Sequence, residues 1–160
     1  MKTLILTLIL TLNVSHLYGA NDHRVMKMNE NKNFNELLLT YEKLHQSFFD
    51  NDNSKINKAT VEVLKSLEKI KNKKIKETLT YSKKKLEDII KSEDIEANHN
   101  SFNTASQGIL IVLDKYSYNK KYARYFCPMV KKYWIQNISK SEKVMNPYAS
   151  LTMPHCGTRK

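Results

Sequence analysis

Apolar residues follow two different rhythms along this chain. From Phe34 to Phe49 they recur at three- and four-residue steps. Phe34, Leu37, Leu38, Tyr41, Leu44, His45 and Phe48 share one face of a 3.6-residue period, which predicts an amphipathic helix. Asp50-Asn51-Asp52-Asn53-Ser54 interrupts that pattern with side chains suited to capping the next helix. A second helix is expected from about Ser54 to Ile70, with Ile56, Ala59, Val63, Leu64, Leu67 and Ile70 on one side and Lys71-Asn72-Lys73 as the turn after it. A third, from about Lys74 to Ser92, aligns Ile75, Leu79, Leu86, Ile89 and Ile90. The fourth, from about Ile95 to Tyr116, aligns Ile95, Phe102, Ala105, Ile109, Val112, Leu113 and Tyr116. Gly108 sits inside this last helix, where glycine costs about 1 kcal/mol against alanine. A close helix approach at that point would account for it. Four amphipathic helices with short connections predict an all-α antiparallel four-helix bundle.

The rhythm changes after Tyr118-Asn119-Lys120-Lys121. Tyr122, Tyr125, Phe126, Tyr133, Trp134 and Ile135 are aromatic or β-branched, with prolines nearby. This reads as a small, irregular C-terminal lobe of short strands or extended segments packed on the bundle end. Trp134 and the tyrosines are expected to be packing residues. Residues 34–118 then form the body and 119–160 the lobe of one domain, with 21–33 a loose polar tail.

The first twenty residues are read as a cleaved export signal. Met1-Lys2 gives a positive start, Leu4 to Leu12 is apolar apart from two threonines, and cleavage falls near Gly19 or Ala20. That run is shorter than the roughly 20 residues needed to cross a bilayer core. The mature protein is therefore expected to be periplasmic and to lack a transmembrane segment. Glycine occurs only 3 times in 160 residues, which favours the helical assignment.

The formal net charge is +11, nearly all of it lysine. Nucleic acid is not the expected partner. The chain is read as exported, arginine is rare, and aromatic residues do not alternate with the lysines as stacking platforms. The lysine runs read as solvated helix faces, with loose attraction to anionic envelope surfaces as the functional alternative. Among the histidines, His45 is read as a satisfied residue at the edge of the core, His99 as solvent-facing beside Glu96, and His23 as part of the tail.

Candidate chemistry is concentrated at the C-terminal end, which holds both cysteines, all 3 prolines and the single tryptophan. Two cysteines in an exported chain indicate a Cys127–Cys156 disulfide. A soft-metal site is the competing reading. Cys127 and Met129 are two apart and would share a face of an extended segment. Met153 and His155 stand in the same relation, with Cys156 adjacent. Thiolates and thioethers select Cu(I) or Ag(I) over harder cations. The two readings compete for the same thiols, and spacing alone places the disulfide ahead. Catalysis is not expected, since the sequence offers no nucleophile elbow, no paired carboxylates at a recognisable spacing and no glycine-rich phosphate loop.

Cys127-Pro128-Met129, Trp134, Asn146-Pro147-Tyr148, Met153 and Cys156-Gly157 together carry a resemblance. The pattern is similar to a bacterial secreted domain of unknown function that also occurs fused to periplasmic adaptor proteins of copper/silver (CusB-like) efflux pumps. Leu37, Leu38, Leu64, Leu67, Phe102 and Ser106 extend it weakly through the helices. This chain departs from the pattern at Ser150, where the family tends to have glycine, and at Met145, where arginine is common. The resemblance implies a periplasmic helical domain linked to heavy-metal handling, with a component of a heavy-metal efflux system as partner. Combined with the sulfur ligands, the expectation is a Cu(I)/Ag(I)-binding protein accessory to efflux, with Cys127, Met129, Met153 and Cys156 as ligands and His155 auxiliary. The alternative is a non-metal periplasmic interaction module with a structural Cys127–Cys156 bridge.

Overall fold

The computed structural model describes residues 28–116 and 120–160. Four helices come first: α1 (Met28–Phe49), α2 (Asn53–Glu68), α3 (Lys73–Lys91) and α4 (Ile95–Lys115). Three strands follow: β1 (Tyr122–Cys127), β2 (Lys132–Asn137) and β3 (Thr158–Arg159). The proposed signal, residues 1–20, and the tail residues 21–27 lie outside the described residues. Residues 28–33, expected as part of a loose tail, are instead the opening of α1. Nothing in Met28–Asn33 breaks a helix, and Asn33 Nδ2 donates to the Lys69 carbonyl at 2.8 Å, fastening this polar end to the end of α2.

Side-chain caps start α2, α3 and α4, the first of them from the expected segment 50–54. Asp52 accepts from the Lys55 amide at 3.0 Å, and Asn72 from the Ile75 amide at 3.2 Å. Asp94 accepts from the Glu96 and Ala97 amides. Such caps each contribute about 1 kcal/mol. α1 packs on α2, α2 on α3 and α3 on α4. The close approach expected at Gly108 is present. A Cβ there would run into Ser82 Oγ, and Ser82 donates across the helix pair to the Ala105 carbonyl at 3.2 Å.

The C-terminal part is an ordered antiparallel sheet in the order β2-β1-β3, not an irregular lobe. In the β1–β2 hairpin Tyr125 faces Trp134 and Phe126 faces Tyr133. The sheet also lies elsewhere than expected. Lys132 pairs with Glu96 at 2.8 Å, the Tyr133 amide donates to Asn103 Oδ1 at 2.8 Å, and Arg124 pairs with Asp114. From Glu96 to Asp114 a helix rises roughly 27 Å at 1.5 Å per residue. The sheet therefore runs along a flank of α4 rather than capping one end, and β2 also packs on α1.

The reason lies in the edge of β2. Amides two residues apart on a strand point to the same side. The outward amides of Tyr133 and Ile135 have no partner strand, and an unpaired strand edge invites pairing with another chain. Asn103 on α4 takes the first, and the Tyr41 hydroxyl on α1 takes the second at 3.1 Å. Tyr41 also sits 2.7 Å from Ser106 Oγ. Ser106 spends its own hydrogen on the Phe102 carbonyl at 2.8 Å, so Tyr41 is the donor of that pair. Glu42, one residue on, accepts from Asn137 at 2.7 Å and from Tyr122 and Lys140. Two helices thus hold the sheet by its otherwise open edge.

Rings fill the seam. Tyr41 stacks on Phe102 at 5.3 Å, Phe102 on Phe48 at 4.5 Å, and Trp134 on Tyr125 at 5.6 Å. Trp134 is fully buried, as expected of a packing residue. No helix among the described residues is long and apolar enough to cross a membrane.

Candidate functional site

Alternation along β1 turns Ala123, Tyr125 and Cys127 inward. Cys127 is fully buried at the strand's end, and Cys156 approaches it just before β3. The two are joined as a disulfide, with Cα atoms 5.7 Å apart and 29 residues of sequence separation. The Cα separation falls in the usual range for such bridges. Neither cysteine is free.

The expected thioether ligands are placed less favourably. The shared face of Cys127 and Met129 requires extended backbone, but β1 ends at Cys127 and residues 128–131 form the hairpin turn. Lys131 takes a positive φ of 54° there, and Met129 is 69% exposed while Cys127 is covered. Met153 and His155 do not share a strand either. The Cys156 amide donates to the Met153 carbonyl at 3.0 Å, closing a tight turn. Met153 is half-buried and His155 exposed. His155 Nδ1 lies 2.7 Å from the Val144 carbonyl. A carbonyl only accepts, so the proton sits on Nδ1 and the ring is held by a structural bond. Among the described residues no group of three or more His, Cys, Asp or Glu side chains is placed to hold a metal ion.

The remaining motif residues build the connection from β2 to β3. Asn146 Oδ1 accepts from the Tyr148 amide at 3.0 Å, and the Asn146 amide donates to the Pro154 carbonyl at 2.9 Å. This is an asparagine-initiated turn, a local bond that asparagine makes readily. Tyr148 passes into the core, and its hydroxyl donates to the Tyr133 carbonyl at 2.6 Å. Burial pushes that hydroxyl well above its ordinary pKa, so it stays protonated. Gly157 takes a φ of 148°, and a Cβ there would stand 2.5 Å from the Trp134 ring. Cys156-Gly157 and Trp134 are therefore coupled by shape: the chain enters β3 across the indole face.

Two residues whose contacts the sequence did not disclose hold this connection. Buried Gln136 donates to the Lys143 carbonyl at 2.7 Å and accepts from the Met145 amide at 3.0 Å. His45 of α1 is buried, with Nε2 2.8 Å from the Met145 carbonyl, so Nε2 carries the proton. Burial lowers the His45 pKa to about 4, against smaller upward effects of this bond and of Glu42. His45 is thus a satisfied residue, as its position on the helix indicated. His99 is not solvent-facing. It is half-buried between Phe48 and Tyr148, each at 5.6 Å, with Glu96 3.5 Å away. Burial lowers its pKa, partly opposed by Glu96.

No family model matches the chain, and neither the curated proteins nor the solved structures provide a match.

Proposed function

We propose that this chain is an exported, non-catalytic interaction module: an antiparallel four-helix body whose C-terminal sheet is fastened by the Cys127–Cys156 bridge. The pairing of the two cysteines carries this reading. A bridge belongs to an oxidising compartment, which agrees with an N-terminal export signal. Closing a loop of this length stabilises by about 3–4 kcal/mol in the chain-entropy account. The titratable groups in the seam support a non-catalytic role. Tyr41, His45 and Tyr148 are buried and bonded to structural partners. Tyr125 and Trp134 are buried and Tyr122, Phe126 and Tyr133 half-buried, whereas most lysines of the helices are exposed, so recognition is assigned to the lysine-rich helices.

The second reading is a Cu(I)- or Ag(I)-binding accessory to a heavy-metal efflux system, in line with the family resemblance. It is favoured by the nearness of the two cysteines and by half-buried Met153, three residues before Cys156. It applies to the reduced chain, because the bridge removes both thiolates. Intact mass and metal content of the protein isolated from its compartment separate the two. The interaction module has a mass two hydrogens below the reduced chain and retains no metal. Free thiols with retained copper or silver, lost in Cys127→Ser/Cys156→Ser, establish the soft-cation site instead.

A further inference from the structure

The sequence from Lys69 to Lys76 holds five lysines and no acidic residue. They surround the α2–α3 turn and the first turn of α3, and Lys32 of α1 lies beside Lys69 and Lys71. All of these lysines are exposed. Lys69 pairs with Glu36, and Lys73 reaches Glu77 only at 4.0 Å. Among the described residues no carboxylate pairs with Lys32, Lys71, Lys74 or Lys76. A helix start already carries partial positive charge and favours acidic side chains, yet the first turn of α3 has none. Packing like charges there works against the fold, since a surface arranged only for solubility intersperses both signs. An anionic partner would relieve the repulsion.

The neighbouring surface narrows the kind of anion. α2 and α3 border a cleft of about 380 Å³ lined by Lys76, Lys83, Thr80 and Glu68 together with Leu67, Ile70 and Leu79, which are buried; Glu68 pairs with Lys83 at 3.5 Å. Leu67, Ile70 and Leu79 expose little surface, so attraction rests on charge: a cluster of exposed lysines matches the closely spaced phosphodiester headgroups of an acidic bilayer. A nucleic acid would call for stacking rings, and no aromatic residue occurs between Glu68 and Thr80. We propose that this lysine corner docks the protein on an anionic phospholipid surface. The proposal deepens the interaction-module reading and rests on it.

The test is co-sedimentation of the full disulfide-bonded chain with phosphatidylcholine vesicles, with and without about 30 mol% phosphatidylglycerol, near physiological salt. Binding is expected only with the anionic lipid and is expected to weaken steeply as salt rises. Each lysine near such a surface contributes about fivefold, so Lys71→Gln/Lys74→Gln/Lys76→Gln should weaken binding about 10²-fold. Lys58→Gln/Lys115→Gln/Lys143→Gln removes the same charge from exposed sites elsewhere and should weaken it less than about threefold, if the corner rather than net charge is read. Equal loss in both triple variants, equal binding to neutral vesicles or no binding at all overturns the proposal. Displacement by soluble polyglutamate as readily as by anionic vesicles overturns it in favour of an acidic polypeptide partner. Failure on vesicles with the bridge intact leaves the interaction module standing, whereas free thiols with bound metal remove that reading whatever the vesicles do.

Discussion

His45 ties α1 to the loop before Asn146-Pro147-Tyr148, and acid should loosen that tie. Its imidazole is buried and neutral, with Nε2–H donating to the Met145 carbonyl. Burial places its folded pKa at about 4, below the ordinary value of 6.5. Between those two values the unfolded chain takes up a proton that the folded chain refuses. Stability is therefore fully present above pH 6.5 and declines as pH falls toward 4. At 1.36 kcal/mol per pKa unit the full effect is about 3 kcal/mol, of which about 2 kcal/mol is lost by pH 5. His99, whose pKa is also lowered by burial, adds to the decline with the same sign. A variant therefore has to isolate His45. His45→Gln removes the titration and weakens the tie at all pH values. Urea unfolding at pH 7.5 and pH 5 should show the wild type losing about 2 kcal/mol more than His45→Gln over that interval, at unchanged m. A His45 imidazole titrating near pH 6.5 by NMR, or parallel pH dependence of the two proteins, would refute the reasoning.

Two further outcomes follow from the seam and the loop. Tyr41→Phe keeps the ring on Phe102 but leaves the Ile135 amide buried without an acceptor; a loss of about 1–3 kcal/mol is expected in urea unfolding, and a loss under about 0.5 kcal/mol would mean that the β2 edge is held by other means. Gly157→Ala drives a Cβ toward the Trp134 ring from a backbone conformation that disfavours side chains, so a cost of about 2 kcal/mol or more is expected as a fall in Tm; an unchanged Tm would mean that the chain does not cross the indole as described.

α2, α3 and α4 were legible from their apolar faces, and each also has a capping side chain before it. Asp52, Asn72 and Asp94 each stand one residue before the helix they cap. The start of α1 lacked both. Met28–Asn33 has no apolar stripe, and the tether from Asn33 to the Lys69 carbonyl is a contact 36 residues away. Periodicity cannot report such a contact. The sheet's existence was legible from its β-branched and aromatic residues, but its position was not. That position depends on Tyr41 and Asn103 turning polar atoms toward two strand amides. On the helices themselves one of these reads as a core ring and the other as an ordinary surface amide.

The C-terminal motif shows how a chemical reading and a structural one can rest on the same letters. Cys, Met, His and Pro at short intervals are what a soft-cation site requires, and they are equally what a tightly turned, bridged connection requires. Two-residue spacing places ligands together only if the backbone between them is extended. Pro128 and Pro154 each stand between the paired candidates, and both lie in turns. The prolines between the paired candidates are therefore evidence against the extended geometry that spacing implied. Asn146, Tyr148 and Gly157 have the opposite history. They supply no soft sulfur ligand, yet each meets a demand that few residues satisfy: a side chain that accepts from an amide two residues on, a buried ring with a hydroxyl for the Tyr133 carbonyl, and a backbone at positive φ against an indole. A motif dense in such demands specifies a shape first. Any chemistry assigned to its cysteines has to begin from the bridge that shape holds closed.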